Sequence, residues 1–156
     1  MIRLIAAIDS KRGIANESGI PWSLPKDVKY FRQLIKNNPV LMGRGVYDEL
    51  AAPFPDSTNY VLSHHDLPVR DGFTLVKDPD SFFEQHSGQV IWVIGGAQIY
   101  GQTIARADEL YLTKIDKDFS CTKFFPEYQN QFVPFSVSDT MHENNCDFAF
   151  EVWKKK

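Results

Sequence analysis

Val90-Ile91-Trp92-Val93-Ile94-Gly95-Gly96-Ala97-Gln98-Ile99-Tyr100 reads as a buried strand that turns through two glycines into a helix. Five apolar residues without alternation are what a strand covered on both faces requires, and such strands belong to parallel sheets. The double glycine leaves no side chain in the turn. It exposes several free N–H groups at the start of the predicted helix Ala97 to Ile104, which is the arrangement a phosphate-cradling turn needs. Working outward, Ile2 to Ile8 is a second nearly continuous apolar run. Val40 to Met42, Asn59 to Leu62, Phe73 to Val76 and Tyr111 to Ile115 add shorter strands. Helical patterns follow Pro25, follow Gly45 and span Pro79 to His86. Short apolar runs alternating with helices predict an α/β fold: a three-layer, open, twisted, mostly parallel sheet with helices on both faces. Phe132 to Val137 and Phe148 to Trp153, joined through Asp139 to Asp147, read as an antiparallel hairpin closing one edge. Asp9 to Ser18 reads as a loop with bends at Gly13 and Gly19. Its length suits a lid or binding element, against the alternative of an idle surface loop.

The 156 residues, 43% of them hydrophobic, suffice to bury about two-thirds of the unfolded surface in one core. Cys121 and Cys146 are too few for a disulfide framework and are expected to be reduced and structural. A net charge of -3 with mixed signs leaves no basic stripe for nucleic acid; the one like-charge run is Lys154 to Lys156. Ile2 to Ile8 contains Arg3 and runs into Asp9, Lys11 and Arg12, which does not read as a signal peptide. No stretch approaches membrane-spanning length. A cytoplasmic protein without membrane contact is expected.

The chemistry is expected in Ile20-Pro21-Trp22-Ser23-Leu24-Pro25-Lys26-Asp27. Pro25 suits the first position of a helix, because it lacks only an N–H that the first turn leaves unpaired. Val28, Phe31, Leu34 and Ile35 recur at helical spacing, which places Asp27 one turn before Phe31 on an inward face. A carboxylate at a helix start also has an ordinary explanation in the helix dipole and free N–H groups. Trp22, held between two prolines beside the acid, favours the catalytic reading. Gly43-Arg44-Gly45 is a second strand–glycine–helix turn where Arg44 offers a forked donor, although an ordinary tight turn fits as well. His64 and His65 lack companion ligands at metal spacing, so exposed loop histidines and no metal are expected. Thr113, a hydroxyl inside an apolar strand, has a bland reading too, bonded to nearby backbone.

The segment Ile20 to Asp27 resembles the active-site segment of the dihydrofolate reductases. Met1 to Ala7, Pro39 to Arg44, Ile94 to Tyr100 and Tyr111 to Asp116 match that family's pattern in order, so the similarity covers nearly the whole chain. The resemblance implies one domain over 1–156, with an adenosine-binding subdomain at about 38–88 and the remainder a loop subdomain. It implies hydride transfer from NADPH to the pteridine ring of dihydrofolate, with a proton delivered to the adjacent ring nitrogen. Asp27 would bond the pterin amine and ring N–H, Thr113 would join acid and substrate, Trp22 would position a water, and Tyr100 would flank the nicotinamide. Burial should raise the Asp27 pKa. Ile5, Ala6, Ile20, Val28, Phe31, Arg32, Leu50, Ser57 and Ile94 would line the substrate site. Ala7, Ile14, Gly43, Arg44, Gly45, Val46, Leu62, Ser63, His64, Lys77, Gly95, Gly96, Ala97, Gln98, Ile99 and Gln102 would hold the cofactor. Diaminopyrimidine and pteridine antifolates would compete with the substrate, and the chain would act as a monomer. Three departures stand out. Ser57 occupies the place of an arginine that grips the substrate's terminal carboxylate, Val46 replaces a hydroxyl residue, and Cys121 and Thr122 replace glycine and aspartate. Two other readings are a reductase of another pterin or of a ribityl-aminopyrimidine, and a pterin or nucleotide binder without turnover.

Overall fold

The computed structural model describes residues 1–156. Its strands are β1 (Ile2–Ile8), β2 (Gly13–Ala15), β3 (Pro39–Gly43), β4 (Thr58–Leu62), β5 (Phe73–Val76), β6 (Ile91–Val93), β7 (Glu109–Ile115), β8 (Lys123–Phe124), β9 (Phe132–Val137), β10 (Met141–Glu143) and β11 (Cys146–Lys155). The helices are α1 (Pro25–Ile35), α2 (Arg44–Glu49), α3 (Pro79–Gln85) and α4 (Ala97–Thr103), with a 3-10 turn at Ile104–Arg106. The main sheet runs β10-β11-β7-β1-β6-β3-β4-β5, with β9 also on β11. Pairs from β7 through β5 are parallel, whereas β11 is antiparallel to β7, β9 and β10.

Strand parity sorts the core onto two faces. Leu4, Ile8, Leu41, Ile91 and Val93 pack with Phe82 and Phe83 of α3 and Ile99 and Tyr100 of α4. Ile5, Val40, Met42 and Trp92 point the other way, onto Ile35 of α1 and Tyr47 of α2. Local chemistry sets the helix starts: Pro25 and Pro79 occupy first-turn positions, and Asp78 accepts N–H bonds from Asp80 and Ser81 at the head of α3. No helix is long and apolar enough to cross a membrane.

Two expectations are corrected. Asp9 to Ser18 is not wholly a loop, because Gly13–Ala15 pairs with Lys123–Phe124 in a separate two-stranded ladder. A ladder this short carries no periodic signal and exists only because tertiary structure brings its halves together. The closing hairpin is likewise rearranged: its tight turn lies at Asn144 and Asn145, between β10 and β11. β9 pairs with β11 beyond that turn, from Glu151 to Lys155.

Candidate active site

The carboxyl ends of β1, β6 and β3 open onto a cleft of about 1490 Å³, the position where open α/β sheets bind ligands. Its floor is Ile5, Ala6 and Ala7 from β1, with Ile94, Gly95 and Gly96 after β6. Ile14, Ile20 and Trp22 form one wall; Asp27, Val28, Phe31 and Arg32 of α1 form a second; Val46, Leu50 and Phe54 close the third. A smaller polar hollow of about 510 Å³ lies at the opposite end of the strands, among Asn37, Asp56, Thr58 and His86. It contains none of the expected site residues.

Asp27 of α1 faces the cleft. Thr113 Oγ1, buried on β7, donates a 2.6 Å hydrogen bond to Asp27 Oδ1. Burial raises the Asp27 pKa; the threonine bond pulls it down, and the negative Glu143 pushes it further up. The carboxylate has no cation partner. On α1 the apolar stripe proves narrower than its spacing suggests, because Val28 is 50% exposed on the cleft rim while Phe31, Leu34 and Ile35 turn inward. Trp22 packs edge-on to Phe119 at 5.2 Å. Tyr100 Oη donates a 2.5 Å bond to Ile5 O, and burial pushes its pKa strongly upward, so its ring stays neutral.

The phosphate-ready turns meet at one point: Gly43 N–H donates to Gly95 O at 2.7 Å. Helices α2 and α4 begin there, and no side chain caps either one. The N–H groups of Ala97, Gln98 and Ile99 therefore lack intrahelical acceptors where their residues line the cleft. Gly95 has φ +115, and a Cβ there would lie 3.0 Å from Tyr100 Oη, so only glycine fits. These turns suit a dinucleotide's pyrophosphate. Farther out, Gly43 pairs with Leu62, and Leu62 with Val76, so Arg44, Ser63 and Lys77 follow three in-register strand ends. Arg44 pairs with Asp48 at 3.7 Å and Lys77 with Asp66, so neither cation is without a partner. Ser63 Oγ accepts the His65 N–H at 3.3 Å.

Several expected residues lie outside the cleft. Ser57 Oγ donates to Ile35 O at 3.1 Å, which ties it to the end of α1 and away from the substrate wall. Leu62 is core, while Ser63, His64, Lys77 and Gln102 lie outside the lining. Conversely, Lys29, Gln33 and Lys36 line the cleft beside Arg32. Their spacing along α1 was a readable signal. Asp9 carried none. Only 1% exposed, it accepts N–H bonds from Gly13 (2.7 Å), Lys11 (2.9 Å) and Phe119 (3.1 Å), and so staples the 9–19 segment to the 116–125 segment. A Cβ at Gly13 would sit 2.5 Å from Cys121 Cβ and 2.9 Å from Asp9 Oδ1, so the joint admits no larger residue. Burial would raise the Asp9 pKa, but these bonds and the Cys121 thiol together hold it below the usual carboxylate value. Thr122 Oγ1 bonds Glu17 at 3.1 Å across the same joint.

Uncapped glycine turns converging on a cleft whose wall carries a half-buried acid without a cation partner are the features of a nucleotide-binding α/β enzyme. The family model described as Dihydrofolate reductase matches residues 1–155. The dihydrofolate reductase of Bacillus subtilis is 33% identical over 160 residues, covering 100% of this chain and 95% of that one. The Haemophilus influenzae enzyme of the same name is 31% identical, covering 93% and 94%. A solved structure, dihydrofolate reductase from Enterococcus faecalis complexed with NADP(H) and RAB-propyl, superposes with a TM-score of 0.91. It covers 100% of this chain and 96% of its own, and at 23% identity it supports the fold. The chain belongs to the dihydrofolate reductase family. It is accordingly an NADPH-dependent oxidoreductase that reduces dihydrofolate to tetrahydrofolate.

Proposed function

We propose that Asp27 is the residue through which the cleft manages the proton of this reaction. The observation that carries the reading is a carboxyl facing the cleft, bonded to Thr113 and free of any cation. NADPH, when bound, supplies the hydride. Asp27 binds the amine and ring N–H of the pterin, and Thr113 fixes the carboxyl rotamer while keeping lone pairs for the substrate. Burial raises the Asp27 pKa and so favours the protonated carboxyl, the form that can supply a proton toward the ring nitrogen. Trp22, wedged against Phe119, places a water beside that nitrogen. Ile5, Ala6, Ile94 and Phe31 exclude bulk water from the ring, while Ile20, Val28 and Leu50 bracket the middle of the substrate.

The residues present fit the cofactor. Gly43, Gly45, Gly95 and Gly96 leave room for the pyrophosphate, and Ala97 to Ile99, with Val46 through its backbone, supply N–H donors. Ala7 and Ile14 offer backbone groups to the nicotinamide amide beside Tyr100. Arg44 at the cleft edge, with Ser63 and Lys77 after the next two strand ends and His64 following Ser63, would meet the 2′-phosphate of NADPH. The 38–88 stretch, which carries β3, α2, β4, β5 and α3, acts as the adenosine-binding subdomain.

The substrate tail is gripped from α1. Arg32 carries its guanidinium 6.0 Å from the Phe54 ring centroid at the cleft wall, with Lys36 one turn on. Because Ser57 turns to Ile35, a second reading stays in play: a pterin without a glutamate tail as the preferred substrate. The two buried free cysteines suit a reducing cytoplasmic setting, and the chain acts as a monomer. Asp27→Asn tests the central reading. It should leave NADPH binding intact and abolish most hydride transfer at pH 7, with partial recovery at low pH where solvent protonates the substrate. Activity equal to the parent at pH 7 would refute the role.

A further inference from the structure

Helix α1 carries the acid, yet its own sequence does not complete its first turn. The N-cap position is Leu24, and no side chain there accepts a backbone N–H. Pro25 has no N–H to satisfy, while Asp27 and Val28 donate to Leu24 O at 3.0 and 3.1 Å. That leaves the Lys26 N–H, which donates to Glu143 Oε1 at 3.0 Å, across 117 residues of sequence. The neighbouring Asn144 Nδ2 donates to Ser23 O at 2.7 Å. The partners of both bonds sit at the tip of the β10–β11 hairpin, where Glu143 pairs with Cys146. Asn144 and Asn145 have φ of 52° and 63°, the left-handed pair that a two-residue turn of this hand requires and that asparagine tolerates.

The hairpin is aimed by the sheet. In β11, Phe150 is in register with Thr113, the residue that bonds Asp27. The Phe150 ring stacks on Tyr30 of α1 at 3.8 Å and 8°. One strand thus fixes the acid's hydroxyl partner, the side of its helix and the reach of the turn onto its N-terminus.

We propose that Glu143 is a positioning residue for the reaction: its carboxylate completes the first turn of α1 and sets a second negative charge at the helix start that carries Asp27. This rests on the reading of Asp27 as the proton-handling group. A helix N-terminus alone would favour the ionised acid, and a like charge close by opposes that. The other groups around Asp27 are uncharged at neutral pH or lie on its own helix. Thr113 comes from β7 and Tyr100 from α4, while α1 contributes Tyr30, Lys26 and Lys29. His142 and Asp147, also in the hairpin, pair with each other at 2.7 Å and are exposed. Glu17 and Glu49 line the same cleft from other elements, but Glu143 is the anion whose charge acts on the acid.

Glu143→Gln separates charge from bracing, since an amide oxygen still accepts the Lys26 N–H. Asn144→Gly keeps the charge and the left-handed turn while removing the Ser23 contact. The Asp27 carboxyl of ligand-free protein, labelled with 13C, is titrated by NMR in the parent and in both variants. The rate with NADPH and dihydrofolate is followed over pH 5 to 9. Glu143→Gln should lower the Asp27 midpoint and reduce the rate above that midpoint about two- to threefold, as expected for a partly exposed charge pair. The difference should shrink at high salt. Asn144→Gly should raise KM more than it moves the midpoint. An unmoved midpoint in Glu143→Gln, or an equal shift in Asn144→Gly, overturns the proposal. If the NMR midpoint moves while the pH–rate profile does not, the coupling stands and the assignment of Asp27 fails instead.

Discussion

Thr113→Val removes one hydroxyl and preserves shape at a site only 3% exposed, so its effect should be electrostatic. The deleted group donates a 2.6 Å bond to Asp27 Oδ1. A hydrogen bond to a charged partner contributes about 1.5 to 3 kcal/mol, more than the same bond to a neutral acid. The difference between those two states is what moves a pKa, at about 1.4 kcal/mol for each pH unit. Losing the bond therefore raises the Asp27 pKa further. The direction follows from the causes acting on the group: burial already raises the pKa, and the threonine bond is the contact that lowers it. Stability has a matching sign. A carboxyl whose folded pKa is raised costs the fold stability once pH exceeds its unfolded pKa near 3.8. Thr113→Val should therefore destabilise at both pH values, by about 1 kcal/mol more at pH 7 than at pH 3. The assay is 13C titration of Asp27 in ligand-free protein, paired with urea unfolding at both pH values. An unchanged or lowered pKa would refute the claim that Thr113 holds the acid's charged form.

Three further outcomes follow from the site. Arg44→Ala should weaken NADPH about tenfold and NADH little, given about 1.5 to 3 kcal/mol for a charge-assisted bond, part of which is offset by freeing Asp48; equal losses in direct binding titrations would show that Arg44 does not read the 2′-phosphate. Ser57→Arg should lower KM for dihydrofolate at nearly constant kcat and lose about 1 kcal/mol of stability with the Ile35 bond, while Arg32→Ala raises KM; steady-state kinetics with dihydrofolate and with a glutamate-free dihydropterin check both. Asp9→Asn places an NH2 against N–H donors and should destabilise by about 1 to 3 kcal/mol at pH 7. Because the folded pKa of Asp9 is lowered, the parent's advantage is present above its unfolded value and lost as pH falls through the folded one, so denaturant midpoints should converge below about pH 3.8.

Ile2–Ile8 and Phe73–Val76 have the boundaries that their apolar runs predict, and Pro25 starts its helix where a proline at the first position should. Such elements are legible because hydrophobic period and backbone chemistry act over a few neighbouring residues. The Gly43 and Gly95-Gly96 turns are legible for the same reason. Val28 shows the limit: its helical phase places it beside Phe31, but whether that edge meets core or cleft depends on where β1 and β3 lie.

Sequence alone thus determined the α/β alternation, the family, and the placing of Asp27 in the first turn of its helix and of glycine turns after two strands, since each is written in contiguous residues whose types admit few conformations. Tertiary structure alone decided that Ser57 faces Ile35, that Asp9 staples two loops and that Glu143 completes the turn carrying Asp27. Each of those bonds joins groups 22 to 117 residues apart. A polar side chain's partner at that range is set by sheet register and turn geometry, which no local pattern encodes.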